Sequence, residues 1–301
     1  MRPKALCLVI TIVIVASGAL LVFAQPQEDV RGAFLTTRPV TPEKKTTTTP
    51  PTARRSRRHP RSSSNKSSRP DYDSSGVVVK TPDGANSKKP IKPQRIGLGL
   101  TLFMRDSNGL AVRVDPAHEF HQGDRVRILL ETNTEGYLYI FNTTDDGEPV
   151  MIYPDAQLDD AGNFIQAHVP FEIPSSLATE ERLRWFRFDE RAGTERLYFV
   201  FTRETLPGVP IEDDLVSYCK DKKDCSWKPR AGLWALLQQE LKTPIQIAKA
   251  ENYGAAQSTK EHDAATRGIG LAKDDPEPSL VMLKTSTDSR MLITALDLVH
   301  R

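Results

Sequence analysis

Beyond residue 95, apolar and polar side chains alternate with a period of two, the spacing of half-buried β-strands. Gly97–Asp106 (GLGLTLFMRD) alternates and runs into the turn Ser107-Asn108-Gly109; Leu110–Val114 (LAVRV) then closes a hairpin. After Gly123-Asp124 comes Arg125–Glu131 (RVRILLE), with Val126, Ile128 and Leu130 on one face. In Tyr137–Asn142 (YLYIFN), Tyr137, Tyr139 and Phe141 point one way and Leu138 and Ile140 the other. A strand apolar on both faces belongs in the middle of a sheet covered on both sides. PVMIYP follows the turn at Asp145–Glu148. Arg184–Glu190 and Glu195–Glu204 are predicted to form another hairpin about Ala192-Gly193-Thr194, its second strand again apolar on both faces. SLVMLKTS and RMLITALDLV add two strands near the end. At least eight short strands with close turn signals predict an all-β fold, a β-sandwich or a related barrel.

The period changes once. Leu233, Leu237 and Leu241 recur every four residues within Ala231–Leu241, with Trp234 alongside, which predicts an amphipathic helix. A shorter helix is expected from Pro210 through Leu215 and Tyr218, giving a small helical insert at about residues 211–242. Such a Trp/Leu stripe is a packing face. Lys249–Arg267 shows no strong period and is expected to be a loose loop.

The first 95 residues carry a different pattern. Arg2 and Lys4 precede an uncharged run, Ala5–Phe23, that ends in Val22-Phe23-Ala24. These are the parts of a secretory signal peptide over residues 1–24, with cleavage between Ala24 and Gln25. An uncleaved membrane anchor is the alternative, since about nineteen apolar residues can just span a bilayer. Export is expected in both cases, to a periplasmic or extracellular location. Residues 25–95 are rich in Thr, Ser, Pro and Arg and poor in large apolar side chains, so they are expected to form a long disordered linker. The globular body is then residues 96–301.

Charge sharpens this division. Residues 25–95 hold 16 basic and 6 acidic residues, whereas residues 96–301 hold 23 basic and 33 acidic ones. The net charge of +2 conceals a basic arm on an acidic body. Arg54, Arg55, Arg57, Arg58 and Arg61 could contact an anionic surface such as lipid head groups or wall polymer; a plain spacer is the simpler account. No interleaved aromatics accompany them for base stacking, so nucleic acid is not expected as a partner. Cys219 and Cys225, a close pair in an exported chain, predict a disulfide. Its loop is short, so it should pin a turn rather than hold the body together.

The stretch Phe120–Pro154 (FHQGDRVRILLETNTEGYLYIFNTTDDGEPVMIYP) resembles the bacterial family catalogued as domain of unknown function 4384. The shared features are a Phe, a Gly-Asp turn, an alternating strand, a Gly-Tyr-Leu-Tyr strand, an acidic turn and a Tyr-Pro. The resemblance extends from Gly97 through Phe171-Glu172-Ile173-Pro174 to the strand Thr194–Leu206. It implies a β-rich exported or envelope module without an established activity. It supplies no catalytic residues, and the helical insert with its cysteines lies outside it.

Chemistry is sparse. The chain has no G-x-S-x-G, H-E-x-x-H or G-x-x-x-x-G-K-[ST] pattern. Gly97-Leu98-Gly99 and Gly268-Ile269-Gly270 give only G-x-G, which carries little information in β-structure. His118, His121, Glu119 and Asp124 could form a metal site on a helix, but after Asp115-Pro116 the segment reads as a turn with Phe120 as its core anchor. Asp155, Asp159, Asp160 and Asn163 around Gly162 could supply oxygens to calcium, although the spacing is not that of an EF-hand and an acidic surface loop is the simpler account. No cofactor is expected. The sequence thus predicts a non-catalytic, envelope-associated interaction module whose partner is an unidentified protein or envelope polymer. The alternatives are a structural envelope protein tethered by its basic linker, or a hydrolase with an unrecognised site.

Overall fold

The computed structural model describes residues 29–40, 94–156, 162–222 and 225–301. The proposed cleavage at Ala24–Gln25 and the Arg54–Arg61 cluster lie outside these residues.

Chain order is α1 (Val30–Leu35), β1 (Gly97–Arg105), β2 (Ala111–Arg113), β3 (Arg125–Thr132), β4 (Gly136–Thr144), β5 (Val150–Tyr153), β6 (Phe164–Ile165) and β7 (Phe171–Ile173). Then follow β8 (Phe186–Arg187), β9 (Gly193–Thr202), α2 (Glu212–Lys222), α3 (Ala231–Leu241), β10 (Ile245–Lys249), α4 (Thr259–Arg267), β11 (Leu280–Lys284) and β12 (Met291–His300). Two antiparallel sheets result. One has seven strands in the order β10-β11-β1-β3-β7, with β2 beside β1 and β8 beside β3; the other has five, β12-β9-β4-β5, with β6 beside β4. The all-β fold is as expected.

Period-two alternation builds the core between the sheets. Leu98, Leu100 and Leu102 of β1 and Val126, Ile128 and Leu130 of β3 meet Leu138 and Ile140 of β4 and Leu197, Phe199 and Phe201 of β9. Across β4 and β9 the pairing runs from Tyr137↔Thr202 to Thr144↔Glu195, so inward residues stay in register over the whole ladder. Gly136 opens β4 because a Cβ there would lie 2.3 Å from the Thr202 carbonyl oxygen.

The other faces of β4 and β9 are also covered. Tyr139, Phe141, Tyr198 and Val200 pack against Leu215 of α2, Leu237 of α3 and Trp227. Trp234 sets its ring edge-on to Tyr198 at 4.9 Å, and Leu206 donates its N–H to the Tyr139 hydroxyl at 3.0 Å. The helical insert is therefore the lid of the five-stranded sheet. The Cys219–Cys225 disulfide is formed, with Cys219 packed against the rim of this cluster. Reducing it, or Cys219→Ser, should cost only about 2 kcal/mol by the chain-entropy estimate for so short a loop. Urea titration with and without reductant reads this directly; loss of the whole cooperative transition would contradict it.

Four expectations are corrected. Arg184–Glu190 does not pair with β9: β8 joins β3 through Arg125↔Arg187 and Val126↔Phe186, because Trp185 and Phe188 are buried by the seven-stranded sheet and pull the segment there. Lys249–Arg267 is not a loose loop. It contains the end of β10 and α4, whose first turn is closed by a reciprocal capping box between Ser258 and Glu261. The short strands β6 and β7 were not expected; each pairs with a long strand, β4 and β3 respectively. The fourth correction concerns the linker.

Residues 29–40 do not belong to a disordered linker. They form α1 and a following turn docked on the outer face of the seven-stranded sheet, with Phe34 fully buried beside Val281 and Leu283 of β11. Asp29 caps the helix by accepting from the Gly32 N–H at 2.8 Å. Val30, Phe34 and Leu35 give this short piece an apolar stripe, which is enough once a sheet face receives it. The sheet is shaped to do so: a Cβ on Gly97 would lie 2.8 Å from the Phe34 ring, and one on Gly99 would lie 2.5 Å from Pro278.

Candidate functional site

Beside the docked helix, the outer face of the seven-stranded sheet carries a layer of buried charge. On β3, Arg127, Leu129 and Glu131 point away from the sandwich and yet are buried, whereas Arg125 at the strand's start is part-exposed. An ionised side chain away from water is tolerated only when counter-charges and hydrogen bonds replace its hydration. Each of these charges has found such partners.

Glu131 is the centre. It accepts from Arg38 Nε at 2.8 Å and from Arg38 Nη2 at 2.7 Å, a two-pronged guanidinium–carboxylate contact. Arg38 Nη1 donates to the carbonyls of Ala272 and Asp275 at 3.2 and 2.9 Å, and Nη2 to that of Pro276 at 3.0 Å. All five guanidinium N–H donors are thus used. The side chain has no exposed surface. His168 completes the set: Nδ1 donates to Glu131 Oε1 at 2.8 Å, while Nε2 meets the Thr37 hydroxyl at 2.8 Å. Its backbone is left-handed (φ 56) and is held there by a bond from its own N–H to Thr132 O and another from Leu271 N–H to its carbonyl. Phe34 lies edge-on to its ring at 5.7 Å.

Burial pushes the Glu131 carboxyl upward, but the hydrogen bonds from His168 and Arg38 outweigh it and leave the group below its ordinary value of 4.5. A carboxyl depressed by folding stabilises the folded state above its unfolded pKa and loses that contribution as pH falls through the folded one. Thermal stability should therefore drop below about pH 4.5, and Glu131→Gln should flatten this part of the profile. An unchanged acid limb in the variant would remove Glu131 as its cause.

Two further pairs flank this socket. Arg113 binds Glu261 and also donates to Ser279 Oγ at 2.9 Å. The same Glu261 caps α4, so its carboxylate ties β2 to that helix. Arg127 stands 3.6 Å from Glu172 and stacks at 4.0 Å on the Trp185 ring. Gln257 donates to the other oxygen of Glu172 at 2.6 Å. Burial lowers the pKa of both arginines, partly offset by Glu261 and Glu172 respectively. Chemically, the layer is suited to gripping a guanidinium.

The residues weighed from sequence lie elsewhere. His118 and His121 are exposed on a turn, His121 N–H donating to Asp124 at 2.8 Å, while Phe120 is fully buried and stacks on Phe188. Asn163 is buried and bonds Leu138 O through its amide at 3.0 Å, so it joins β4 rather than a cation loop; Asp159 and Asp160 lie outside the described residues. Among the described residues, no group of three or more His, Cys, Asp or Glu side chains is placed to hold a metal ion. A hollow of about 340 Å³ beside Gln122, Arg187, Asp189 and Arg191 is open and of mixed charge, without a buried polar group aimed into it.

Sequence reasoning did not find the socket. Gly97-Leu98-Gly99 was its only local trace, and the arginine it receives is far away in the chain. Residues 119–205 match the model of the family described as Domain of unknown function (DUF4384). That span begins later than the expected Gly97 and ends before the helical insert. It contributes Glu131, His168, Arg127 and Glu172, whereas Arg38 and its three carbonyl partners lie outside it. No curated protein and no solved structure matches the chain.

Proposed function

We propose that this chain, which carries a DUF4384 domain at residues 119–205, works outside the cytoplasm as a non-catalytic interaction module. The observation that carries the reading is the Arg38 socket: the body grips a short linear segment through one deeply set ionic contact and a small apolar bed. That is how a recognition module holds a peptide, with an arginine anchor supplying orientation and the apolar residues supplying area. The hydrophobic run Ala5–Phe23 after Arg2 and Lys4 supports export. The partner is a protein or an envelope polymer.

A structural envelope role is the second reading. It is favoured by the position of the docked arm, which starts only a few residues after that hydrophobic run and would seat the body near whatever holds the N-terminus.

Fractionation of cells making the tagged full chain should place it in the envelope or outside the cell, and cross-linking there should give a discrete adduct. Insoluble wall material instead of a discrete adduct would favour the structural role. Unprocessed chain in the soluble interior would overturn export. A purified activity abolished by one point substitution would overturn the non-catalytic assignment.

A further inference from the structure

We propose that the Glu131–His168 socket is a peptide-binding site in its own right, which can take residues 29–40 of a second chain in place of its own. The proposal rests on the interaction-module reading above and names its ligand: a short helical segment with apolar residues at the positions of Val30, Phe34 and Leu35 and an arginine at that of Arg38.

Three observations carry it. First, the arm is held by side chains. Phe34 and Leu35 rest on Val281 and Leu283, Arg31 binds Glu277 and the Pro278 carbonyl, and Arg38 fills the socket. The arm joins neither sheet as a strand; a backbone bond from Lys273 N–H to Pro39 O closes its far end. Such a contact is made by a contiguous peptide whatever chain it comes from.

Second, the parts of the body that shape the socket are also bonded within the body, besides their bonds to the arm. His168 is fixed by its bonds to Thr132 and Leu271. The carbonyls that meet Arg38 belong to a loop set by Asp275, whose carboxylate accepts from Ala272 N–H at 2.8 Å. Gly97 and Gly99 leave the space that Phe34 and Pro278 occupy. A site built in advance loses little order on binding.

Third, an empty socket would leave the Glu131 carboxylate buried with only His168 beside it, so the body strongly favours an occupied state. Residues 41–93 separate the arm from Gln94 in the sequence, so the body's own arm acts as a tethered ligand and any free arm competes against it.

The experiment uses the full chain with a specific protease site inserted between Arg58 and His59. After complete cleavage, the arm fragment should co-elute with the body on size exclusion. A fluorescent peptide of residues 29–40 should then replace it, with saturable anisotropy. The same peptide carrying Arg38→Ala should bind on the order of a hundredfold more weakly, as truncation of a buried charge pair does. Glu131→Gln in the cleaved chain should release the arm fragment while circular dichroism retains the β signal.

A cleaved body that stays folded but neither keeps its arm nor binds the peptide would overturn the proposal. It would leave the interaction-module reading standing, since the fractionation and cross-linking outcomes are independent of it. Unfolding of the body on cleavage would also overturn it, by making the arm part of the core.

Discussion

Arg38→Ala should destabilise the folded chain by about 3–5 kcal/mol, the usual cost of removing one member of a buried ion pair. Five donors disappear at once, leaving the Glu131 carboxylate with His168 alone and the carbonyls of Ala272, Asp275 and Pro276 without their partner. For a body of about 200 residues, that corresponds to a fall in Tm of on the order of 10 °C. Arg38→Lys should fall between, because a single ammonium keeps the charge but cannot present the planar two-pronged contact. Replacing Arg38 and Glu131 together by Met should cost less than the sum of the single changes, since the penalty of an orphaned charge then vanishes. Urea or thermal unfolding of these three variants, with Arg38→Met and Glu131→Met as the single changes, checks this. A loss under about 1 kcal/mol for Arg38→Ala would place the arginine among surface pairs of small consequence.

Phe199→Ala should have a comparable effect for a different reason. The ring is fully buried on β9, between Ile140 and Thr294 in the ladder and facing the opposite sheet. Removing it costs its transfer free energy plus that of the cavity left between two sheets that cannot collapse onto each other, about 3–5 kcal/mol. Phe199→Leu should recover most of this. Because the arm docks outside the sandwich, combining Phe199→Ala with Arg38→Ala should give additive losses within a few tenths of a kcal/mol. Strong coupling would mean that the arm and the core fold as one unit.

The contrast between these sites shows what could be read from sequence. Tyr137–Asn142 and Glu195–Glu204 are apolar on both faces, and each lies centrally in the five-stranded sheet under the helical insert, because local alternation is what burial on two sides requires. The Cys219–Cys225 bond was legible from a close pair of cysteines in a chain whose N-terminus reads as an export signal. The arm was not, because Val30, Phe34, Leu35 and Arg38 are four informative residues inside a long polar stretch, and their partners stand far off on β11, β3 and the loop at 272–276. For α4 the signal was present. Ser258-Thr-Lys-Glu261 has capping-box spacing, but the helix behind it is short and buries Glu261, Ala264 and Ala265 rather than a stripe of large apolar residues. The pairing of β8 with β3 depended on where Trp185 and Phe188 could be buried, which is a property of the assembled sheet.

The docked arm also fixes where the basic stretch begins and ends on the body. Arg38 is fastened to Glu131, and Gln94 donates to the Asn133 carbonyl two residues further along the same strand end. Arg38 and Gln94, which flank residues 41–93 in the sequence, are thus both held at the end of β3, on residues only two apart. Doubling the length of sequence between these two fixed points should therefore cost only roughly 0.6 kcal/mol in closure entropy.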